Sequence, residues 1–429
     1  MFLGITPFSQ SNYITTLSKP QKVNFSLQNH FGLQPQDTFT LQKKEFNEVE
    51  KQQYNEILNT LPIQNKKELE NLQKNGILLN KKSNNNSSTL DNLYKIYKNE
   101  RAQGLNNKEI LKETISTLNN PYRISQKNDN SSKNYLDLTL NNKSKTIQEK
   151  TSTCTASCIE FDLASQEPAE FVRFVEELTS PKLSVDKTIE LNNLADKTLD
   201  AIWLLNTFDT PKEANSFNKI KLTLKPDDKI LEKIALDKSS KTFSHRNTID
   251  TILQSTFMNV GSQQSYNSIT DIRGGKFNVT EKGLIEFEKT YTESIVRNKN
   301  IISVNYQKID ENGQIVGYET DFSTIKNQLL DTLSLKENII LGLTNQMPDG
   351  SLKGHEVVLT GAKTHSNGKT DFYCYNSDSD KLGLEIYSED YLLSRIHHAG
   401  LPKEIVAKTM IFQDGWILGL ENFKQLKNN

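Results

Sequence analysis

In this chain of 429 residues, Gln148, Cys154 and His355 stand in the order expected for thiol-based acyl transfer. Cys154 lies six residues after Gln148, and His355 follows about two hundred residues later. A cysteine attacks a carbonyl carbon as its thiolate, so it needs a base and surroundings that favour the anion. The sequence therefore predicts Cys154 as a nucleophile and His355 as its base.

Cys154 stands where a helical pattern begins, after Thr151-Ser-Thr. The unpaired backbone N–H groups and the positive end of a helix dipole favour a thiolate at such a position. The backbone N–H of Cys154 can also face a developing oxyanion, and the Gln148 side-chain amide is the expected second donor.

The residue that orients His355 is predicted from a hairpin. Strands over 355–362 and 371–376 flank Asn367-Gly368, a turn signal, and their pairing places position 355 opposite roughly 376–380. That window holds Asn376 and Asp378, and either side chain can accept the imidazole N–H and fix its tautomer. The hairpin leaves the choice between them open.

Four segments of the chain resemble the papain-like cysteine peptidases, and within them the bacterial double-glycine (bacteriocin-processing) peptidases. The matching segments are Gln148, Cys154-Thr-Ala-Ser-Cys158, Gly354-His355-Glu-Val-Val-Leu-Thr-Gly and Phe372-Tyr-Cys-Tyr-Asn376-Ser377. The resemblance spans about 148–164 and 322–380. It implies a papain-like fold in which Gln148 completes the oxyanion hole, Cys154 attacks, His355 is the base and Asn376 or Asp378 orients it.

Two positions depart from the pattern of that family. Thr155 stands where a glycine usually follows the nucleophile, and neither tryptophan nor proline follows Asn376.

Peptide-bond hydrolysis is the predicted activity. Transglutaminase or deamidase chemistry would use the same Cys and His, and a catalytically silent papain-like binding or effector module is the alternative from a different class.

The predicted fold class is α+β, with helices first and a sheet second. Residues 1–145 form a polar N-terminal region, extended or disordered to about residue 40, and 146–429 form the peptidase domain with a helical insert at about 180–300. The N-terminal helices are interpreted as a solvated or partner-binding region. Helices are predicted over 41–60, 65–76, 89–118, 186–206, 227–237 and 322–335.

The second half of the chain carries the strand signals. Strands over 301–307 and 314–319 flank Asn312-Gly313, and strands over 338–344, 355–362 and 371–376 read as an antiparallel meander. A closing hairpin around Asp414-Gly415 is predicted to join the same sheet.

Composition excludes several classes of function. The net charge of −1 gives no electrostatic reason to expect nucleic acid, and no run of eighteen apolar residues predicts a membrane span. The start of the chain lacks the basic region of a signal peptide, and three cysteines favour reduced thiols, so a cytoplasmic location is the default expectation. Export by a dedicated machine is compatible with the sequence. The expected partner is a peptide or protein substrate, with no cofactor.

Other reactive residues are given structural roles. Cys158 is predicted to lie in the core, and Cys-x3-Cys is poor spacing for zinc. His397-His398 are predicted to cap the end of a helix, and the acidic run 378–380 is predicted to be a solvated loop.

Overall fold

The computed structural model describes residues 45–125, 151–190, 193, 219–239, 246–274, 282–310, 314–346, 352–379 and 383–408. These residues form helices and antiparallel sheets, so the α+β prediction is confirmed. The predicted disordered segment at 1–40, Gln148, the turns at 312–313 and 349–350, and the hairpin at 410–420 lie outside the described residues. Within the described ranges, no helix is long and apolar enough to cross a membrane.

Four helices precede the nucleophile: α1 (Glu48–Thr60), α2 (Ile63–Lys74), α3 (Thr89–Lys98) and α4 (Asn107–Asn119), with 3-10 turns at Ile77–Leu79 and Pro121–Arg123. Ser88 caps α3 and Asn106 caps α4 by accepting hydrogen bonds from backbone N–H groups. The single helix predicted over 89–118 is therefore wrong. The Asn106 cap starts a second helix, and Gly104, with φ +82°, turns the chain between the two.

The next two helices are buried. They are α5 (Cys154–Gln166) and α6 (Pro168–Leu178), and Pro168 occupies the first position of α6, where no backbone N–H is needed. Helix α3 packs against α6.

The helix predicted over 186–206 is wrong over its first five residues. They belong to strand β1 (Val185–Glu190), which pairs with β2 (Lys219–Leu224). Buried and exposed residues alternate along β1, but the sequence does not show this pattern because one of the buried residues is a lysine, Lys187. Its Nζ donates to Glu170 Oε1 at 2.6 Å.

Three helices follow: α7 (Ile230–Ser239), α8 (Thr248–Gly261) and α9 (Glu286–Arg297). Helix α7 confirms the prediction over 227–237. Helices α8 and α9 both pack on α5, so the nucleophile helix is enclosed by other helices on one side and by the sheet on the other.

The main sheet has six strands in the order β3-β10-β6-β7-β8-β9. Their bounds are β3 (Ile301–Asn305), β6 (Ile339–Gln346), β7 (Leu352–Thr364), β8 (Thr370–Tyr375), β9 (Leu384–Ser388) and β10 (Ile396–Pro402). Strands β6, β7 and β8 pair antiparallel in sequence order, so the predicted meander is confirmed. A separate antiparallel pair joins β4 (Gln307–Ile309) to β5 (Ile315–Tyr318), so the strand predicted over 314–319 is confirmed. The strand predicted over 301–307 is mostly β3, which pairs with β10 and not with β5.

Each face of the six-stranded sheet contributes to a different hydrophobic cluster. Ile340, Val358 and Tyr375 face the cluster that contains α5, while Leu341, Val357 and their neighbours pack with helix α10 (Phe322–Ser334). The short helices α11 (Glu389–Leu393) and α12 (Lys403–Val406) also join the second cluster. Helix α10 confirms the prediction over 322–335.

His397 and His398 lie within strand β10, so their prediction as a helix end is wrong. Strand β10 is inserted between β3 and β6, and its burial reflects pairing with strands far away in sequence. That long-range pairing overrides the local turn signal of Gly400 and Pro402.

The helices before residue 120 share one hydrophobic cluster with α5, α6 and α8. Residues 126–150, which hold the predicted domain boundary near 146, lie outside the described residues. The division of the chain at that point stays a prediction.

Candidate active site

Cys154 is the first residue of helix α5, and its side chain is half-buried. The preceding residue, Thr153, provides no side-chain cap for the helix. Its hydroxyl instead donates to Gln254 Oε1 at 2.9 Å and lies 2.7 Å from Thr151 Oγ1. The first N–H groups of α5 are thus not occupied by a capping side chain, and a negative charge at Cys154 is favoured there.

A buried polar network holds the turn that leads into α5. The backbone N–H of Ser152 donates to Asp271 Oδ2 at 2.7 Å, and Tyr266 donates its hydroxyl to the other oxygen of Asp271 at 2.9 Å. Gln254, which accepts from Thr153, donates in turn to Glu160 Oε2 at 2.9 Å. These contacts fix the backbone immediately before the nucleophile on two sides.

His355 lies on β7 with its side chain half-buried, close enough to Cys154 for the thiol to act on its pKa. Its Nε2 lies 2.7 Å from Asn376 Oδ1. The hairpin register brings the end of β8 to this part of β7, because Val358 pairs with Tyr375 and Asn376 follows directly after it. Since Nε2 faces Asn376, Nδ1 is the ring nitrogen left to exchange a proton with the thiol.

Asn376 is itself oriented by two residues of β9. Its Nδ2 donates to Glu385 Oε2 at 3.0 Å and contacts the Tyr387 hydroxyl at 3.3 Å. Tyr387 also donates to Glu385 Oε2 at 2.6 Å. A carboxylate only accepts, so Glu385 draws the amide nitrogen of Asn376 to itself and turns the amide oxygen towards His355.

Asp378 does not take the position of Asn376. Its backbone N–H donates to Asn376 Oδ1 at 2.9 Å, so it belongs to the same turn. Its negative charge acts through space to raise the pKa of His355. Of the two residues left open by the sequence, the structure places Asn376 against the imidazole.

The surroundings raise the pKa of His355 to about 9. Burial acts to lower this pKa, but the hydrogen bond and charge of Cys154, the hydrogen bond to Asn376 and the charge of Asp378 outweigh it. The site therefore stabilises a protonated imidazole next to Cys154.

The other two cysteines are of a different kind. Cys158 and Cys374 are fully buried, and burial raises the pKa of both thiols well above the usual value. Cys158 lies in the core as predicted. Thr155, which replaces the usual glycine, is buried on α5 without interrupting the helix.

The structure thus brings together Cys154, His355 and Asn376, with Asp378 beside them. Gln148 lies outside the described residues, so its predicted place in the oxyanion hole stays a prediction.

Four residues that support the site were missed from the sequence: Gln254, Asp271, Glu385 and Tyr387. The alternation in Leu384-Glu-Ile-Tyr-Ser388 after Gly383 was a strand signal for the last two, since alternate residues of a strand share a face. Gln254 and Asp271 carried no such signal, because each lies more than a hundred residues from the turn that it holds.

Comparison with protein-family models, with curated proteins and with solved structures found no match for this chain.

Proposed function

We propose that this protein is a cysteine peptidase that hydrolyses peptide bonds through Cys154, His355 and Asn376. The observation that carries the proposal is a half-buried thiol at a helix N-terminus, an imidazole whose pKa this thiol acts to raise, and an amide oxygen 2.7 Å from Nε2 of that imidazole. The resemblance of the surrounding segments to papain-like peptidases supports the same assignment.

The proposed reaction has two halves. In the first, Cys154 Sγ attacks the carbonyl carbon, the C–N bond breaks, and His355 passes the thiol proton to the leaving amine. In the second, water loses a proton to His355 and attacks the thioester, which releases the carboxylic acid and restores the thiol. The Cys154 N–H and the Gln148 amide hold the oxyanion in both halves.

Asn376 has a positioning role in this scheme. Its amide oxygen accepts the Nε2–H of His355 and keeps Nδ1 directed at sulfur throughout the reaction. If a side-chain amide replaced the peptide bond as acyl donor, Cys154 would form a side-chain acyl-enzyme with release of ammonia. Water would convert this intermediate to a deamidated product, and an amine would convert it to a transglutaminase product.

Limited labelling with iodoacetamide tests the nucleophile. We expect one site, Cys154, to react quickly in the wild type, to be lost in Cys154→Ala, and to slow in His355→Ala. Cys158→Ala is the matched control, since that cysteine lies one turn later on the same helix and is fully buried. Equal and slow labelling of Cys154 and Cys158 in the wild type would contradict an activated thiol.

Hydrolysis is tested separately. A library of peptides is incubated with wild-type protein and with Cys154→Ala, and new peptide termini are counted by mass spectrometry. Termini that appear only with the wild type support a peptidase. A fast-labelling Cys154 without new termini, but with deamidated or cross-linked peptides, would show that the acyl donor is a side-chain amide and not a peptide bond.

A further inference from the structure

A second cluster of potential ligand side chains lies outside the Cys154 site. Glu286 at the start of α9 and His397 and His398 on β10 each present a ligand atom, and these atoms lie within 4.8 Å of one another. His398 is buried, while Glu286 and His397 are half-buried. Neither histidine has a part in the proposed reaction.

An irregularity in the sheet brings the two histidines together. Consecutive residues of a regular strand point to opposite faces, so neighbouring histidines would normally be separated by the sheet. The pairing of β10 with β6 shifts register between Ile396 and His398, as in a β-bulge. The two Nδ1 atoms consequently lie 2.8 Å apart.

A glycine provides the space for His398. Gly342 pairs with His398 on one side and with Glu356 on the other. A Cβ atom at position 342 would lie 2.3 Å from His398 Cε1 and 2.9 Å from Glu356 Oε1. Because Gly342 has no side chain, His398 on β10 and Glu356 on β7 can approach each other over the strand β6 that lies between them. Glu356 Oε1 lies 3.1 Å from His398 Nε2.

Glu356 thus lies beside the outer nitrogen of His398, which has no hydrogen-bond partner among the described residues, and Nδ1 faces the cluster. A carboxylate behind a histidine is the usual outer partner of a metal-binding imidazole, because it fixes the tautomer and the ring orientation. The carboxylate is almost fully buried, and its Oε2 has no hydrogen-bond partner among the described residues. Ser303 similarly orients Glu286 by donating its hydroxyl to Oε1.

We propose that Glu286, His397 and His398 bind a divalent transition-metal ion of the Zn²⁺ type, with Glu356 as the positioning carboxylate behind His398. Two imidazoles and one carboxylate are ligands that Zn²⁺ takes with a fourth position left open. The ion would join helix α9 to strand β10 across the sheet surface. The site does not depend on the peptidase assignment.

Binding requires a small rearrangement. Ligand nitrogens of a tetrahedral zinc site lie roughly 3.3 Å apart, given Zn–N bonds of about 2.0–2.1 Å, so the two Nδ1 atoms must separate by about half an ångström. The ion then replaces the hydrogen bond between the imidazoles. Lys289 is a cation near His397, and its Nζ is engaged by the backbone oxygen of Ile340, to which it donates at 3.2 Å.

Titration of the full chain with Zn²⁺, monitored by calorimetry after removal of bound metal with a chelator, tests the site. The Cys154→Ala background is used so that the thiol and His355 cannot supply a competing site. We expect one equivalent of Zn²⁺ to bind, and His397→Gln and Glu286→Gln each to weaken binding at least tenfold. Glu356→Gln should weaken it about 10- to 100-fold.

His365→Gln is the matched control, because this exposed histidine contacts Asp371 at 2.8 Å and should not affect zinc binding when replaced. Co²⁺ gives a second readout, since a tetrahedral site produces an intense visible absorption that His397→Gln should abolish. Circular dichroism in chelator checks that each variant is folded. The proposal is overturned if folded protein binds no Zn²⁺, or if His397→Gln and Glu286→Gln bind it as tightly as their parent.

Discussion

The Asn376 side chain can orient His355 because its amide oxygen, and not its amide nitrogen, faces the imidazole. Asn376 has one accepting and one donating end, and Glu385 can only accept from it. The donating end is therefore taken, and the amide oxygen is left for His355. This chain of three side chains gives β9 a role in the site although none of its residues touches the thiol.

Removing the Asn376 side chain should slow the reaction of Cys154. A hydrogen bond to a charged group contributes about 1.5–3 kcal/mol, so Asn376→Ala should reduce the iodoacetamide labelling rate roughly 10- to 100-fold. Asp378→Asn is the comparison, because Asp378 reaches Asn376 through its backbone N–H. A larger loss in Asp378→Asn than in Asn376→Ala would reverse the assignment of the two residues.

The raised pKa of His355 should be visible by NMR. One of the six histidine Cε1–H signals should titrate near pH 9 in the wild type, because the Cys154 thiol and Asn376 stabilise the imidazolium. In Cys154→Ala the same signal should titrate at lower pH, since the largest favourable contact is gone. Identical titration in both proteins would show that Cys154 does not act on His355.

The same shift has a consequence for stability. A group whose pKa is higher in the folded protein than the ordinary 6.5 stabilises the fold below that pH and loses the contribution as pH rises through about 9. The difference in melting temperature between wild type and His355→Gln should therefore shrink between these pH values. A difference that grows with pH would contradict a protonated His355.

At the scale of elements, the hairpin of β7 and β8 was predictable and the turn before α5 was not. Asn367-Gly368 is a local signal that sets a register, and the register brings the residues just past the end of β8 near His355. The side-chain hydrogen bond, which the register does not determine, selects Asn376 among them. The turn at Thr151–Thr153 is held by Gln254 and Asp271, whose proximity depends on how α8 packs. Periodicity reveals which face of an element is buried, but not which distant element covers it.

Asp271 should contribute both to stability and to the placement of the nucleophile. Asp271→Ala removes the acceptor for the half-buried Ser152 N–H and for the buried Tyr266 hydroxyl, and it puts alanine at a positive φ of 53°. We expect a loss of roughly 2–5 kcal/mol in the free energy of unfolding, measured by urea denaturation, and slower labelling of Cys154.

Asp271→Asn serves as the control for that change. Asparagine tolerates the left-handed backbone and keeps an accepting oxygen, so this variant should lie between the wild type and Asp271→Ala in both measurements. If folded Asp271→Ala labels at the wild-type rate, the network does not position Cys154.

At the scale of the whole molecule, the helices before residue 125 are tied to the segments that carry the site. Arg101 donates to the backbone oxygen of Glu176 at 2.6 Å, Tyr375 donates to the backbone oxygen of Ile124 at 2.9 Å, and Tyr122 Oη lies 3.0 Å from Thr360 Oγ1. These contacts join a polar, weakly patterned part of the chain to α6, β7 and β8. The composition of that part did not predict such attachment, because only a thin stripe of each helix is apolar.

A core substitution in these helices should therefore lower the stability of the helices and of the segments that carry the active site together. Leu93 on α3 is fully buried in the cluster shared with α5, and Leu93→Ala should cost about 2–5 kcal/mol of unfolding free energy. Because one core joins both parts, urea unfolding followed by circular dichroism and by exposure of Cys158 to a thiol reagent should shift together. Leu335→Ala, at a leucine that is 44% exposed, should change either midpoint little. If Leu93→Ala shifts the circular dichroism transition and leaves the exposure of Cys158 unchanged, the helices unfold independently, and the attachment seen at Arg101, Tyr122 and Tyr375 does not stabilise the site.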